Sequence, residues 1–419
     1  MRGIVYYAIM VRDKNNVVIV GQGYVGLPLA MSCVFSGWQV TGIDISSGKI
    51  DQICSGVSPV EDVPQQLLSD ALDSGLYTAR SDFDSIAQAN IVVICVPTPL
   101  LENGSPDLSY LNDAVDSIIP FLVNGTLIIN ESTSYPGTLR EIFEARVLDA
   151  RPDLVDVLFA VAPERVNPGD KKWNQMNTPR IVGGINNESK RAAVEFYQTF
   201  CGFLVEVDSP EIAEAAKLFE NTFRLVNISL VNEFAQICST NGINVHEVID
   251  AAATKPYGFM PFSPGIGIGG HCIPVDPNYL TWWARRGGSQ AELVELSFGI
   301  NRRNPNYIAG KAFEIVKEIF NPRVLILGVT YKAGISDTRE SPVKDLFERL
   351  QALKCDVSWF DPLVQDWEGR KKANRDWKGD LIILAVNQVG LDLEILLDNS
   401  VPILDCTNTL QGTINVYKP

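Results

Sequence analysis

The segment VVIVGQGYVGLPLA, residues 17–30, constrains the fold of this 419-residue chain more than any other stretch. Its opening run of β-branched residues predicts a buried strand, and the residues after Gly26 predict a helix. Gly21, Gly23 and Gly26 lie in the turn between them, where glycine permits a sharp bend and a close approach of the backbone to another group. A strand that leads directly into a helix in this way predicts the first half of a βαβ unit.

Further short apolar runs repeat this pattern. In the first half of the chain they predict the remaining parallel strands of one sheet, at residues 39–45, 90–97, 126–133, 156–164 and 180–185. From Asn321 onward a second series, RVLILG, DVSWFDP, DLIILAV and VPILDC, predicts another α/β domain. The predicted fold class is α/β, with two Rossmann-like doubly wound domains joined by a long central helix.

The central helix is predicted from a pattern that opens on Ser209 as N-cap and Pro210 as first helical residue. The pattern runs for roughly thirty residues before it closes on Asn241-Gly242, a length typical of a helix between domains or in an oligomer interface. We divide the chain into residues 1–208, 209–320 and 321–419, and interpret residues 1–15 as a peripheral extension.

The net charge and the few histidines exclude several functional classes. A formal net charge of −15 argues against a nucleic-acid partner or an anionic membrane surface. The eight cysteines form no CxxC pair and most lie in apolar runs, a pattern that indicates reduced, buried thiols in a cytoplasmic protein. His246 and His271 are the only histidines, so we expect no histidine-based metal site.

The glycine turn predicts a dinucleotide site. Gly21-x-Gly23-x-x-Gly26, with Tyr24 and Val25 inside it, follows a strand and opens a helix whose N-terminus suits a pyrophosphate. Asp44 ends the next predicted strand, eighteen residues beyond Gly26, where a carboxylate accepts the ribose hydroxyls and repels a 2′-phosphate. We therefore predict NAD, rather than NADP, as the cofactor.

Two later strand ends carry further candidates for the cofactor site, because ligands bind at the carboxyl edge of such sheets. The segments are CVPTP (95–99) and ESTSYPGT (131–138), and the candidates within them are Val96, Pro97, Thr98, Ser132 and Thr133. Turn or cap residues are the competing interpretation at each of these positions.

Two pairs of polar residues extend the candidate site. Lys217 and Asn221 lie four residues apart on the central helix and so share one face, although a solvated surface lysine is the competing interpretation. Glu164 and Arg165 directly follow an apolar strand at the ligand edge of the sheet.

The segment GIGIGGHCIPVDP, residues 265–277, leaves two interpretations of Cys272 open. Asp276-Pro277 predicts the N-cap and first residue of a helix, and a cysteine just ahead of a helix N-terminus gains thiolate character. A small buried cysteine in a glycine-rich turn is equally compatible with the residues. Gly269-Gly270 indicates a close backbone approach or a positive φ.

Eight segments in order give the chain a resemblance to the UDP-glucose/UDP-N-acetylhexosamine 6-dehydrogenase family from about residue 16 to its end. They are GQGYVGLPLA, CVPTP, ESTSYPGT, APERVNPGD, EAAKLFENTFRLVNISLVNE, TKPYGFMPFSPG, GGHCIPVDPNYLTW and SDTRESP. The variants TKPYGF, PERVNPG and HCIPVDP are most similar to the UDP-N-acetylglucosamine branch, which supplies surface-polysaccharide precursors. The resemblance implies a four-electron oxidation of the sugar C6 alcohol to a carboxylate, with two NAD⁺ reduced.

The resemblance also implies a role for each candidate. Cys272 is the expected nucleophile, which forms a thiohemiacetal and then a thioester. Lys217 and Asn221 stabilise the oxyanions, Asp276 and Thr133 handle protons through a water, and Glu164 assists hydrolysis.

The implied substrate contacts extend into the C-terminal domain. They are Glu164, Arg165, Asn167, Lys217, Asn221, Tyr257, Phe259, Phe262, Gly269 and Lys332, with Arg339 placed on the cofactor phosphates. A homodimer through the central helix is expected. Other UDP-hexoses (UDP-N-acetylgalactosamine, UDP-N-acetylmannosamine and UDP-glucose), a two-electron 3-hydroxyacid-type dehydrogenase and an inactive nucleotide-sugar-binding protein remain alternatives.

Overall fold

The structure, a computed structural model, describes residues 16–166, 172–374, 377–392, 401–410 and 415–419. The chain folds into two compact units, the first ending at Leu218 and the second beginning at Phe219. Each unit is built on one sheet whose strands are mainly parallel. The extension predicted at residues 1–15 and the predicted substrate contact Asn167 lie outside the described residues.

The sheet of the first unit has eight strands. They are β1 (Asn16–Val20), β2 (Gln39–Ile43), β3 (Tyr77–Arg80), β4 (Ile91–Ile94), β5 (Leu127–Asn130), β6 (Leu158–Val161), β7 (Arg180–Gly184) and β8 (Leu204–Glu206). Their order across the sheet is β3-β2-β1-β4-β5-β6-β7-β8. The central strands β4 and β5 are buried at every position, which continuous β-branched runs predict. Five predicted strands are confirmed as parallel strands, each shorter than predicted.

The sixth predicted strand, residues 180–185, differs from the prediction. It forms β7, but β7 pairs antiparallel with β6 through Ala160 and Gly184. The described part of the connection between these strands contains no helix. A parallel partner requires a long crossover connection, usually helical, so a chain that returns without one pairs antiparallel.

Helices connect strands of this sheet and cover both of its faces. They are α1 (Gly26–Phe35), α2 (Ser47–Cys54), α3 (Gln65–Asp73), α4 (Ser109–Ile118), α5 (Ala145–Ala150) and α6 (Asn187–Tyr197). A π-helical turn, Leu139–Glu144, leads into α5, and short 3₁₀ helices occupy Asp84–Gln88 and Ile119–Phe121. Ser46 caps α2 by accepting from Lys49 N, and Asn186 caps α6 by accepting from Ser189 N. Residues of α1, α3 and α6 pack with alternate strand residues such as Val17 and Ile19 in one apolar core, and the intervening strand residues Val18 and Val20 are also buried.

The long central helix is confirmed as α7, which spans Pro210–Thr240. It begins directly after Ser209 and ends before Asn241 and Gly242, and Gly242 has a φ of 67°. This left-handed glycine ends the helix as the sequence predicts. The boundary between the two compact units falls inside α7.

The second unit contains four further helices and a five-stranded parallel sheet. The helices are α8 (Val245–Ala253), α9 (Asp276–Arg286), α10 (Glu292–Val316) and α11 (Val343–Ala352). The strands are β9 (Arg323–Leu327), β10 (Asp356–Phe360), β11 (Leu381–Leu384), β12 (Ile403–Asp405) and β13 (Val416–Tyr417), in the order β10-β9-β11-β12-β13. The four strands predicted after Asn321 are confirmed. None of the helices that the structure describes combines the length and apolar character needed to cross a lipid bilayer.

Candidate active site

The glycine turn at the end of β1 is shaped by contacts within the protein. A Cβ on Gly21, whose φ is 94°, would lie 2.3 Å from the carbonyl oxygen of Cys95, and one on Gly26 would lie 1.8 Å from the carbonyl oxygen of Gly21. Both positions therefore exclude any larger residue. Helix α1 begins at Gly26, so the positive end of its dipole lies at the turn. No side chain caps this N-terminus with a hydrogen bond. This arrangement suits a bound phosphate group.

Asp44, at the carboxyl end of β2, lies beside this turn. Its carboxylate accepts hydrogen bonds from Gln22 N at 2.9 Å, from Ser46 N at 3.0 Å and from the Lys49 ammonium at 2.6 Å. The Gln22 side chain in turn donates to the carbonyl of Ile19 and accepts from the Tyr77 hydroxyl. A carboxylate offers about four acceptor sites, which leaves capacity for a ribose hydroxyl. The sequence patterns do not point to Gln22 or Lys49.

The two candidate loops after β4 and β5 are joined by Ser132. Its hydroxyl accepts from Val96 N at 2.9 Å and lies 3.4 Å from the carbonyl of Ile94. Pro97 is exposed, while Thr98 and Thr133 are partly buried. Because the Ser132 hydroxyl is engaged within the protein, this residue orders the loop edge at which the cofactor is expected.

Glu214 ties the loop that follows Thr133 to helix α7. Its carboxylate accepts from Gly137 N at 2.7 Å and Leu139 N at 3.0 Å, with the Ser134 hydroxyl at 3.4 Å. Burial raises the pKa of Glu214 to about 8, against the opposing effect of the two backbone donors. This residue escaped the sequence analysis because its partners lie more than seventy residues away.

Glu164 and Lys217 lie near each other in the first unit. Burial raises the pKa of Glu164, while the Lys217 cation and the hydrogen bond from Val166 N oppose that rise. Lys217 is buried, so the solvated-surface interpretation of this lysine is wrong. The neighbouring Arg165 donates from Nη1 to the carbonyl of Pro179 at 2.6 Å.

A buried ionic group lies beneath this edge of the sheet. The Arg180 guanidinium and the Tyr197 hydroxyl both donate to Glu131 Oε1, and a second guanidinium nitrogen donates to Gln175. Burial alone would lower the pKa of Arg180, but Glu131 holds it above its ordinary value. The carbonyl of Glu131 accepts from Glu164 N at 3.3 Å, so this group supports the backbone that carries a candidate residue.

In the second unit, the side chain of Asn221 contacts Asp276, which follows Cys272 closely in the sequence. The Asn221 amide donates to Asp276 Oδ2 at 2.6 Å. Asp276 is buried and is the first residue of α9, whereas the sequence predicts it as the N-cap. The N-cap is Val275, because the Asp276 side chain turns to Asn221 and the Asp276 N–H bonds back to the carbonyl of Cys272 at 2.8 Å.

The exposure of Cys272 sets it apart from most cysteines in the chain. Cys272 and Cys54 are exposed, and the other six cysteines are buried. Burial raises the pKa of the Cys33, Cys95 and Cys406 thiols well above the ordinary value. The predicted buried-turn alternative for Cys272 is therefore wrong, and this thiol lies at the N-terminal approach to α9.

The glycines before Cys272 are explained by packing inside the second unit. Gly270 has the predicted positive φ, 84°. A Cβ on Gly269 would lie 2.5 Å from the carbonyl oxygen of Glu340, and one on Gly270 would lie 2.8 Å from the Tyr331 ring. The close approach predicted for this segment is thus made to the segment around residues 331–342.

The remaining predicted substrate residues lie on exposed or partly buried parts of the second unit. Tyr257 and Phe259 are exposed, and Phe262 packs edge-on to Phe223 with ring centroids 5.9 Å apart. Lys332 is partly buried. These positions leave the side chains accessible to a ligand without showing which one they bind.

Arg339 and His271 both face Asp337. The exposed Arg339 guanidinium donates to both carboxylate oxygens of Asp337, at 3.0 and 2.9 Å, and His271 Nδ1 lies 3.7 Å from the same carboxylate. Partial burial and the Arg339 cation lower the pKa of His271, despite Asp337. The lowered pKa favours the neutral form of the His271 imidazole.

Comparison with known proteins identifies the family. Three models of the UDP-glucose/GDP-mannose dehydrogenase family match the chain: the NAD binding domain over residues 15–201, the central domain over residues 211–303 and the UDP binding domain over residues 325–391. A UDP-N-acetyl-D-mannosamine dehydrogenase of Methanococcus maripaludis is 36% identical over 363 residues, 85% of this chain and 82% of its own length. The chain belongs to the UDP-glucose/GDP-mannose dehydrogenase family.

Two further relatives extend the comparison. A UDP-N-acetyl-D-glucosamine 6-dehydrogenase of Salmonella typhi is 35% identical, over 86% of this chain and 85% of its own. The solved structure of a UDP-N-acetylmannosamine dehydrogenase from Pyrococcus horikoshii superposes with a TM-score of 0.87 at 32% identity, covering 96% of this chain and 98% of that one. The protein is thus an NAD-dependent UDP-sugar dehydrogenase. Its glycine turn and Asp44 fit that cofactor, since they offer a helix N-terminus to the pyrophosphate and a carboxylate to the ribose.

Proposed function

We propose that this family member oxidises the C6 alcohol of a UDP-N-acetylhexosamine to a carboxylate, and that UDP-N-acetylmannosamine is its substrate. The names of the Methanococcus and Pyrococcus relatives support the mannosamine. UDP-N-acetylglucosamine is the second candidate, because the motifs TKPYGF and HCIPVDP favour it and the Salmonella relative bears that name. The balanced reaction converts the alcohol, two NAD⁺ and one water into the carboxylate, two NADH and three protons.

One observation carries the proposal beyond a simple alcohol oxidation. Cys272 is exposed one turn ahead of α9, and Asp276 at the start of that helix is hydrogen-bonded to Asn221 of α7. A two-electron dehydrogenase of the 3-hydroxyacid type has no use for a thiol at this position. A four-electron oxidation can use one, because an aldehyde must form a tetrahedral adduct before it can lose a second hydride, and a thiol forms such an adduct that ends as a thioester.

The side chains divide the work of the oxidation. NAD⁺, held at the glycine turn and Asp44, would supply the hydride acceptor for each of the two oxidations. Between them, the Cys272 thiolate adds to the aldehyde carbon and forms a thiohemiacetal, and loss of the second hydride leaves a thioester on sulfur. The Lys217 ammonium and the Asn221 amide stabilise the oxyanions that form at the C6 oxygen.

The remaining polar groups act in the hydrolysis of the thioester. Thr133 and Asp276 hold the water that carries protons away, and Glu164 takes a proton from the attacking water. The raised pKa of Glu164 supports this role, because a carboxyl poised nearer to neutrality exchanges a proton more readily than one of ordinary pKa. The thiol is regenerated when the carboxylate leaves.

We assign most of the cofactor contacts to the first unit and most of the UDP-sugar contacts to the second. The cofactor contacts are Gly21, Gly23, Tyr24, Val25, Gly26, Asp44, Val96, Pro97, Thr98, Ser132 and Thr133, with Arg339 on the cofactor phosphates. Arg165, Asn167, Tyr257, Phe259, Phe262, Gly269 and Lys332 contact the UDP-sugar. The matches of an NAD binding and a UDP binding family domain support this division.

We further propose that the protein forms a homodimer through α7. This helix exposes a stripe of six large apolar side chains: Ile212, Phe219, Phe223, Leu230, Phe234 and Ile237. Their spacings of three, four and seven residues keep them on one face of the helix, as in a helix-to-helix interface. A second copy of this chain is the partner that supplies a matching stripe.

A substrate panel tests the proposed reaction. Purified protein is incubated with NAD⁺ and each of UDP-N-acetylmannosamine, UDP-N-acetylglucosamine, UDP-N-acetylgalactosamine and UDP-glucose, and NADH is measured by its absorbance. We expect the highest kcat/KM with UDP-N-acetylmannosamine. A higher value with UDP-N-acetylglucosamine selects the second candidate, and binding of a UDP-sugar without turnover identifies an inactive binding protein.

A further inference from the structure

The backbone of the loop that leads to Cys272 is hydrogen-bonded to the side chains of three asparagines on helices α7 and α10. Asn232 on α7 accepts from Gly265 N at 2.9 Å. Asn304 on α10 donates from Nδ2 to the carbonyls of Gly265 and Ile266, at 2.6 and 2.8 Å, and Asn301 accepts from Ile268 N at 2.8 Å. A loop with buried peptide groups needs such partners, since an unpaired peptide group costs about as much as a lost hydrogen bond.

The opposite side of the same loop is closed by the segment around residues 331–342. A Cβ on Gly267 would lie 3.0 Å from Pro342 and 3.3 Å from the Asn301 side chain, and one on Gly269 would lie 2.5 Å from the carbonyl oxygen of Glu340. The loop is thus held by asparagine amides and by close packing against this segment. The packing explains Gly267, Gly269 and Gly270, whereas a Cβ on Gly265 would meet no atom within 4 Å.

Two of the three asparagines are buried, and Asn301 is partly buried. Asn232 and Asn304 are 1% and 2% exposed, and Asn304 Oδ1 also accepts from Gln236 of α7 at 2.9 Å. Ile266 and Ile268 are buried on either side of these bonds. Removal of the Asn304 donor would leave the carbonyls of Gly265 and Ile266 without that hydrogen bond, which is unfavourable for peptide groups held away from water.

We propose that Asn232, Asn301 and Asn304 are positioning residues that fix the loop 265–270 and thereby the approach of Cys272 to the substrate carbon. They act through the backbone of the loop and touch neither substrate nor cofactor. The inference rests on the proposed role of Cys272. A misplacement of about 1 Å at a reacting group lowers a rate by roughly 10²-fold, so loss of these bonds acts on kcat.

The hydrogen-bond pattern is tested by replacing asparagine with aspartate at three positions of α10. In N304D a carboxylate replaces an amide whose hydrogens bond two carbonyls, so the loop loses its donor. In N301D a carboxylate replaces an amide whose oxygen accepts from Ile268 N, so the acceptor remains. Asn306 is exposed on the same helix, and N306D is the matched control.

For N304D we expect a 10- to 100-fold lower kcat per folded molecule, with the KM for NAD⁺ within twofold of wild type, by the same positioning argument. N301D is expected to retain at least fivefold more activity than N304D, and N306D to match wild type within twofold. The variants are assayed with UDP-N-acetylmannosamine, or the best substrate of the panel, and folded protein is counted by the cooperative unfolding signal. Should N304D not fold, N232L supplies a second arm, because it removes the acceptor for Gly265 N from α7 and is expected to lower kcat in the same way.

A wild-type kcat per folded N304D or N232L molecule overturns the positioning role. Equal losses in N301D and N304D also contradict it, because they would not follow the donor and acceptor pattern. Failure of the proposed function gives a different result, since wild-type protein would then yield one NADH per sugar whatever the activities of N304D and N232L.

Discussion

Cys272 is the residue on which the proposed chemistry depends. Replacement by serine keeps the size and exposure of the side chain but removes the soft nucleophile. We expect Cys272→Ser to bind NAD⁺ and UDP-sugar like the wild type and to lose steady-state oxidation by at least 10³-fold, roughly the scale seen when a catalytic nucleophile is removed. Cofactor binding by calorimetry and NADH production by absorbance measure the two effects.

Cys54 provides the matched control for that substitution. It is the other exposed cysteine, lies at the end of α2, and bonds through Sγ to the carbonyl of Ala79, a residue without an assigned role. Cys54→Ser should keep full activity. Undiminished turnover in Cys272→Ser, or an equal loss in Cys54→Ser, would contradict the thiolate mechanism.

Glu214 gives the molecule a titration near neutral pH. Its pKa in the folded protein is about 8, raised by burial from an ordinary value near 4.5. Between these two values the folded state holds a proton that the unfolded chain has lost, so the free energy of unfolding falls as pH rises through that interval. Glu214→Gln cannot titrate and should lack this contribution.

Thermal unfolding of wild type and Glu214→Gln from pH 5 to pH 9 measures this effect. We expect the wild-type midpoint to decline relative to that of the variant as pH rises, with the difference levelling off above about pH 8. Parallel pH profiles would show that the carboxyl does not carry the shifted pKa.

Single residues differed in how far the sequence revealed them. The glycine turn, Asp44, Lys217, Asn221, Cys272 and Asp276 were predicted from local patterns and the family resemblance, and the structure brings Asn221 and Asp276 into contact. Gln22, Glu214 and the three loop asparagines were missed. Asparagine, glutamine and glutamate are common on surfaces, and only the three-dimensional partner of such a residue shows that it is buried and bonded.

Among the elements, α7 carries both the proposed catalytic residues Lys217 and Asn221 and the proposed dimer interface. Leu230 is 58% exposed in the middle of its apolar stripe. A charge there would be buried without a partner in a dimer but solvated in a monomer. We expect Leu230→Glu to raise the dimer dissociation constant at least tenfold, as measured by light scattering over a range of protein concentrations.

Phe320 offers the control for the stripe, because it is 94% exposed and lies outside α7. Phe320→Glu should leave the molar mass unchanged. A wild-type protein of monomer mass, or a Leu230→Glu protein that stays dimeric at low concentration, would exclude the α7 interface.

The type of each element was more predictable than the elements and side chains with which it pairs. Continuous β-branched runs predicted the central strands, and Ser209-Pro210 with Asn241-Gly242 bounded α7 correctly. The antiparallel pairing of β7 was missed, because an apolar run has the same composition in either direction. The one-residue shift at the start of α9 has a similar cause, since the long-range bond from Asn221 decides where the Asp276 side chain points.

For the whole molecule, two α/β units with a long shared helix agree with the match of three family domains in one order. The fold class could be predicted because alternation of strand and helix is a repeated, local signal. The sugar specificity could not, because epimers at one carbon differ only in which polar contact they meet. The family therefore defines the reaction class more firmly than the substrate.

The most direct test of the account is the number of NADH molecules formed per UDP-N-acetylmannosamine consumed. Limiting sugar is incubated with excess NAD⁺ until absorbance is constant, and the uronic acid is measured by mass spectrometry. The proposed mechanism predicts two NADH and one carboxylate per sugar. One NADH per sugar, with an aldehyde or ketone as the product, would contradict it.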